Sequence, residues 1–233
     1  MTIFTVCFEY PNRSKYTVML DVFRKSCEIH MPNVKFICKQ INAPKNRSNR
    51  DLNYMYNGVK LRLWVEFLEK TKDNVIFADC DMIALKSAEH AFKIPFDVAY
   101  TERTRIKRII MNGGIMMARP TPAARHFFRE MLEINDRMFK NESFHKVWHR
   151  KYAGMNQSAF GYCLERGTSR AKIHKYITQE WNAVDCDWQS INNKTVFVHC
   201  KSKMRKMVLG EKPTNHKYAN IVRLWRQVHA QIQ

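Results

Sequence analysis

The chain opens on a nearly unbroken apolar run, Ile3-Phe4-Thr5-Val6-Cys7-Phe8, and polar residues close it. Such a run is β-rich and predicts a strand from Thr2 to Tyr10. Pro11-Asn12-Arg13-Ser14 reads as a turn with Ser14 as a helix N-cap. The rhythm then changes. Tyr16, Met19, Leu20 and Phe23 recur at helical spacing over Lys15 to Cys27, and a second strand is expected from Val34 to Ile41. Residues 42 to 53 are rich in Asn and Arg and read as a loop. Tyr56 to Lys72 is an amphipathic helix that turns Val59, Leu63, Trp64, Phe67 and Leu68 inward and carries Lys60 and Arg62 in its first turns.

The second half repeats the alternation. Strands are expected at Asp97 to Glu102, at Lys172 to Ile177 and at Thr195 to His199. Met111 to Pro120 reads as a polar Gly turn, Asn112-Gly113-Gly114, feeding a buried strand. Helices are expected from Thr121 to Phe139, from Gly154 through Glu165, and from His216 to Gln233, the last with Ile221, Leu224, Trp225 and Val228 on one face. Strands alternating with helices predict an α/β fold with a mixed, mostly parallel central sheet flanked by helices. The first strand–helix–strand unit has no Gly-x-Gly-x-x-Gly, so a dinucleotide such as NAD is not suggested.

The chemistry concentrates in Asn74 to Leu85, where the apolar run Val75-Ile76-Phe77-Ala78 meets Asp79-Cys80-Asp81. Two carboxylates at the end of a buried strand are costly unless their charge is balanced. In extended backbone Asp79 and Asp81 point the same way, and two hard oxygen ligands suit Mg²⁺ or Mn²⁺. Open α/β sheets bind ligands beyond the carboxyl ends of their strands, which is where this pair falls. The triplet recurs as Asp185-Cys186-Asp187, without a long apolar strand leading into it. His199 ends its own strand and heads a run of cations, Lys201, Lys203, Arg205 and Lys206. A third metal ligand followed by a pyrophosphate clamp has that pattern. Tyr10, at the crevice end of the first strand, reads as a base-stacking ring or as a packed turn tyrosine, and Gly113 and Gly114 permit close approach of a ligand.

Charge sets the partners more than the fold. Forty Lys and Arg against 21 Asp and Glu leave a formal net charge of +19, which implies a polyanion, a nucleotide or an anionic surface. The loop Arg103 to Arg108 and the stretch His145, Trp148, His149, Arg150, Lys151, Tyr152 mix cations with aromatics, as nucleic-acid contacts do. Seven cysteines without a CxxC pair read as buried thiols in a reducing compartment. No signal peptide or membrane-length apolar stretch is apparent, and the expectation is a cytoplasmic protein, in the host cytoplasm if viral.

The ordered set of these parts resembles the GT-A glycosyltransferases, in particular the retaining branch of glycogenin and the bacterial galactosyltransferases. The matching residues are Asp79-Cys80-Asp81; Lys60 or Arg62 on the preceding helix; Asn112-Gly113-Gly114; Asn156-Gln157 opening a helix; Trp181-Asn182; and His199 with the basic residues to Lys206. Asn156 stands where that family usually has Asp, Ser202 where Gly is common, and no Lys-Pro-Trp follows.

The resemblance implies a GT-A domain over residues 1–206, with a basic C-terminal helix, 207–233, packed on it. It implies a Mn²⁺ or Mg²⁺ ion held by Asp79, Asp81 and His199, and a nucleotide-diphosphate sugar as donor. Tyr10, Lys60, Arg62, Asn112, Gly113, Gly114, Lys203, Arg205 and Lys206 would contact that donor. Asn156 and Gln157 would lie near the sugar. Asp185 and Asp187 are the base candidates for an inverting enzyme, and a retaining one requires no such base. With the basic composition, the acceptor is expected to be a polyanion such as hydroxymethylpyrimidine DNA, as viral or phage enzymes modify. The alternatives are a lipid-linked or surface glycan, a non-catalytic nucleic-acid-binding module, and a metal-dependent nuclease or phosphotransferase.

Overall fold

The computed structural model describes residues 1–9, 15–42, 49–104 and 110–232, with backbone alone over 49–53. Strands β1 (Thr2–Glu9), β2 (Lys35–Asn42), β3 (Val75–Asp79), β5 (Val98–Glu102), β6 (Met111–Ala118) and β7 (Ile173–Ile177) form one six-stranded sheet in the order β2-β1-β3-β6-β5-β7. All run parallel except β6, which is antiparallel to both neighbours. Two short strands, β4 (Met82–Ala84) and β8 (Phe197–His199), pair antiparallel in a separate ribbon.

Period-two alternation builds two cores from one sheet. Phe4, Val75 and Phe77 face the side covered by Trp64 and Leu68 of α2 (Asn49–Lys70), Phe128 of α3 (Pro122–Lys140) and Phe160 of α5 (Met155–Arg166). Ile3, Ile76 and Ala78 face the other side, against Phe23 and Cys27 of α1 (Lys15–His30) and the β4–β8 ribbon. This explains the unbroken apolar runs: strands covered on both faces have no polar face to show. The C-terminal α8 (Ala219–His229) packs Ile221, Val222 and Trp225 against Met19 and Val22 of α1. Thr121 caps α3 by accepting from the Ala124 N–H at 3.1 Å, with Pro122 in the first turn.

Three expectations about backbone need correction. The segment read as a loop to residue 53 is helical from Asn49, so Lys60 and Arg62 lie in mid-helix rather than in its first turns. A helix anchored by packed residues extends into polar sequence that would not start one. Gly113 and Gly114 belong to β6 itself, opposite an irregularity in pairing at Tyr100/Thr101, and do not form a turn. Asp79 to Asp81 is not one extended strand: β3 stops at Asp79, and the chain leaves the sheet through Cys80-Asp81 before β4. Ser14 and most of the basic loop, residues 105–109, fall outside the described residues.

Candidate active site

A cavity of about 440 Å³ opens where β1 and β3 end and β6 begins. Asp79, Asp81 and His199 meet there, each offering a ligand atom within 4.8 Å of the others. His199 Nε2 lies 3.1 Å from Asp81 Oδ1 and 3.6 Å from Asp79 Oδ2. The backbone bend brings the carboxylates together, and the β4–β8 ribbon brings the imidazole. Met82 pairs with His199 in that ribbon, and the Cys200 N–H donates to Asp81 O at 2.7 Å. The Trp188 indole N–H donates to His199 O at 3.3 Å.

Each carboxylate already faces a cation. Lys60 Nζ donates to Asp79 Oδ1 at 2.7 Å and lies over the Trp64 ring. Arg205 Nη2 is 3.1 Å from Asp81 Oδ2, while the rest of its guanidinium stacks on Tyr16 and donates to the Tyr16 hydroxyl. Burial pushes the Asp81 pKa up, but the charges of His199 and Arg205 outweigh it and hold the carboxyl below its ordinary range. Lys201 also lines the cavity, its ammonium pKa lowered by burial and then by the positive charge of Arg103.

A layer of amides supports the other wall. Asn112 Oδ1 accepts from the Gly114 N–H and from Asn182 Nδ2, both at 2.9 Å. Gln157 Oε1 accepts from the Gly113 N–H at 3.0 Å, and its amide N–H groups donate to the Tyr152 and Ala153 carbonyls. Gln157 thus braces β6. Asn156 is different. It lines the cavity, is 7% exposed, and neither amide atom has a partner among the described residues. A buried carboxamide without partners is costly, unless the cavity's occupant supplies them.

The structure brings Lys60, Asp79, Asp81, Asn112, Gly113, Gly114, Asn156, Gln157, His199 and Arg205 to one cavity. Five expected residues are elsewhere. Arg62 points to solvent and pairs with Asp136 at 3.3 Å, because residues two apart on a helix face different ways. Lys203 donates to the Tyr218 hydroxyl at 3.2 Å and lies over the Trp188 and Tyr218 rings. Asp187 is fully buried, accepting from the Val184 N–H at 3.4 Å, and does not reach the cavity. Asp185 is half exposed off the cavity, paired with Arg103 at 3.5 Å and Lys201 at 3.8 Å. Lys206 lines a smaller adjoining recess with Lys15 and Glu211. Tyr10 lies outside the described residues.

Lys201, expected in the cation run after His199, lines the cavity, and so does Ser202, which was missing from the expected contact set. Lys201 had a signal, since alternation from His199 returns to the same side two residues on. Ser202 takes φ +49°, a left-handed conformation that favours glycine.

A family model described as nucleotide-diphospho-sugar transferase matches residues 21–213. The chain belongs to that family. It is a glycosyltransferase of the nucleotide-sugar type, and its fold is that of the GT-A enzymes. Among curated proteins it is 25% identical over 209 residues to the candidate UDP-glucuronate:xylan alpha-glucuronosyltransferase 4 of Arabidopsis thaliana, covering 78% of this chain but only 35% of that one. The chain therefore spans about a third of that relative's length.

Solved structures give the same fold. The galactosyltransferase LgtC, in complex with donor and acceptor sugar analogues, superposes at TM-score 0.62 with 12% identity, over 99% of this chain and 96% of that one. A glycosyltransferase involved in glycosylation of the major capsid of PBCV-1 superposes at 0.60 with 12% identity, over 88% and 97%. GlyE of Streptococcus pneumoniae TIGR4 superposes at 0.60 with 11% identity, over 98% and 60%. No helix among the described residues is long and apolar enough to cross a membrane.

Proposed function

We propose that this transferase moves a sugar from a nucleotide-diphosphate donor with the help of a divalent cation, Mn²⁺ or Mg²⁺, held by Asp79, Asp81 and His199. The cluster of those three side chains carries the reading. Its donor set fits the group: two carboxylates and one imidazole are hard-to-borderline ligands, and His199 presents Nε2 to both carboxylates. A bound divalent ion would neutralise charge that develops on the leaving diphosphate.

The protein's own groups complete the chemistry. With the ion balancing the two carboxylates, Lys60 and Arg205 remain to meet the diphosphate's charge. The nucleoside is assigned to the aromatic end of the cavity, where Phe8 and Tyr56 pack with ring centroids 4.4 Å apart. The sugar is assigned to the β6 end, where the unpartnered Asn156 amide can donate to one hydroxyl and accept from another. Gln157 and Asn112 hold the β6 backbone in place for it.

Retention of configuration is the better-supported outcome. Among the described residues, the carboxylates lining the cavity are Asp79 and Asp81, and both are committed to the ion. The base that inversion needs would have to come from Asp185 or Asp187, which lie off the cavity. The acceptor is read as anionic, from the net charge of +19. Hydroxymethylpyrimidine DNA is one such acceptor and an acidic glycan another.

The test is a screen of nucleotide-sugars for release of nucleoside diphosphate with Mn²⁺, Mg²⁺ or chelator. Release that requires the metal and disappears in Asp79→Asn and Asp81→Asn supports the reading. Release that persists in chelator would refute it.

A further inference from the structure

Because β6 alone runs backwards, its amino-terminal end lies between the carboxyl ends of β3 and β5, with the end of β1 next beyond β3. These ends stand in a row. On the reading above, β1 bears the nucleoside, β3 the diphosphate and β6 the sugar. The next place in that row is the end of β5, beside the strand assigned to the sugar.

The residue that follows β5 is Arg103. Its N–H donates to Ile110 O at 2.8 Å, which ties it to the entry of β6. Its side chain is 5% exposed, with Nη2 3.5 Å from Asp185 Oδ1 and Nε without a partner among the described residues. Lys201 reaches the same Asp185 oxygen from the cavity wall at 3.8 Å. Two cations thus converge on one carboxylate, both at the loose end of ion-pair distance. Asp185 is the most exposed of the three, at 47%. A net positive charge remains beside the cavity, and the shared carboxylate is held weakly enough for another anion to take its place.

We propose that Arg103 and Lys201 form an acceptor subsite for a single acidic group, the carboxylate of a uronic-acid residue next to the hydroxyl that receives the sugar, and that Asp185 occupies this subsite when no acceptor is bound. The proposal rests on the nucleotide-sugar reading of the cavity. One compact pair of cations suits one carboxylate better than the regular phosphates of a nucleic-acid strand, which call for a longer stripe.

The test compares two acceptors with the donor found in the screen: a trisaccharide ending in a uronic acid, and the same trisaccharide with that carboxyl reduced to hydroxymethyl. The wild-type enzyme should prefer the acid. Lys201→Gln and Arg103→Gln should each cut the preference for the acid over the reduced trisaccharide, read as the ratio of their KM values, roughly tenfold, the worth of one charge-assisted hydrogen bond. Arg103→Lys should restore much of the preference. Asp185→Asn should lower KM for the acid by removing the competing carboxylate, which a merely structural Asp185 would not do. Lys201 is on the cavity wall, so its variant keeps the test open if Arg103→Gln fails to fold.

Donor turnover with equal rates on both trisaccharides overturns the proposal while leaving the transferase reading intact. Preference for hydroxymethylated DNA over the acidic trisaccharide overturns it in favour of a nucleic-acid acceptor. No turnover of any donor, even by slow hydrolysis, refutes the reading of the cavity and this inference with it.

Discussion

Gly114 and His199 touch so closely that one decides the place of the other: a β-carbon at Gly114 would stand 2.5 Å from His199 Nδ1. No real β-carbon sits at that distance, so a larger residue on β6 would force the imidazole away from Asp79 and Asp81. Gly114→Ala should leave a folded protein whose metal-dependent turnover falls roughly a hundredfold, the usual cost of displacing an active-site group by about 1 Å. Manganese titration by calorimetry alongside rate measurement checks this. Unchanged metal affinity in the variant would count against His199 as a ligand.

Asn156 separates stability from activity. Its amide is buried without partners among the described residues, so an apolar isostere relieves a cost that folding now bears. Asn156→Leu should unfold at the same temperature as wild type or higher, while kcat/KM for the donor falls roughly tenfold or more, the value of a lost sugar hydrogen bond. Thermal unfolding and donor kinetics on one preparation decide it. A destabilised variant with full activity would show that the amide serves the fold.

Ser202 carries backbone strain at the cavity edge, with φ at +49°. Ser202→Gly should stabilise the protein by up to about 1 kcal/mol, because the relieved left-handed strain slightly exceeds the added freedom of the unfolded chain. Ser202→Val should destabilise by about 1–3 kcal/mol for the opposite reason. Urea unfolding curves at matched slope give both values.

Acid should unfold the metal-free protein through Asp81. His199 and Arg205 overcome the effect of burial and hold its carboxyl below the ordinary value of 3.8. The folded state therefore binds the proton less readily than the unfolded chain does. Asp81 contributes its stability above pH 3.8 and loses it as the pH falls below that value toward the lower folded one. In chelator, wild type should lose stability more steeply over this window than Asp81→Asn does, and the two curves should run parallel near neutrality. Identical slopes in acid would contradict the pairing of Asp81 with His199 and Arg205.

Much of this protein was written along the chain in a form that needs no third dimension. Unbroken apolar runs mark strands covered on both faces, because a doubly covered strand has no polar face, and β1 and β3 follow that rule. Helical spacing located α1, and the Asp79-Cys80-Asp81 step off an apolar strand marked where charge is concentrated. Local periodicity carries these features because each depends on neighbours in sequence.

The tertiary structure decided which charges share a site. The cation run after His199 looks uniform in sequence, yet Arg205 reaches Asp81 while Lys203 turns to Tyr218 and Lys206 to a neighbouring recess. The facing of a side chain depends on the turn of α7 (Ser202–Val208) and on what packs against it, and no residue count fixes either. Lys60 and Arg62 are equivalent by composition, but only Lys60 points at Asp79. Asp185 and Asp187 are identical in type, and burial removes one from solvent while leaving the other between two cations. Selection among like charges is a long-range property. It is settled by the reversed strand β6 and the β4–β8 ribbon, which join segments far apart in the chain.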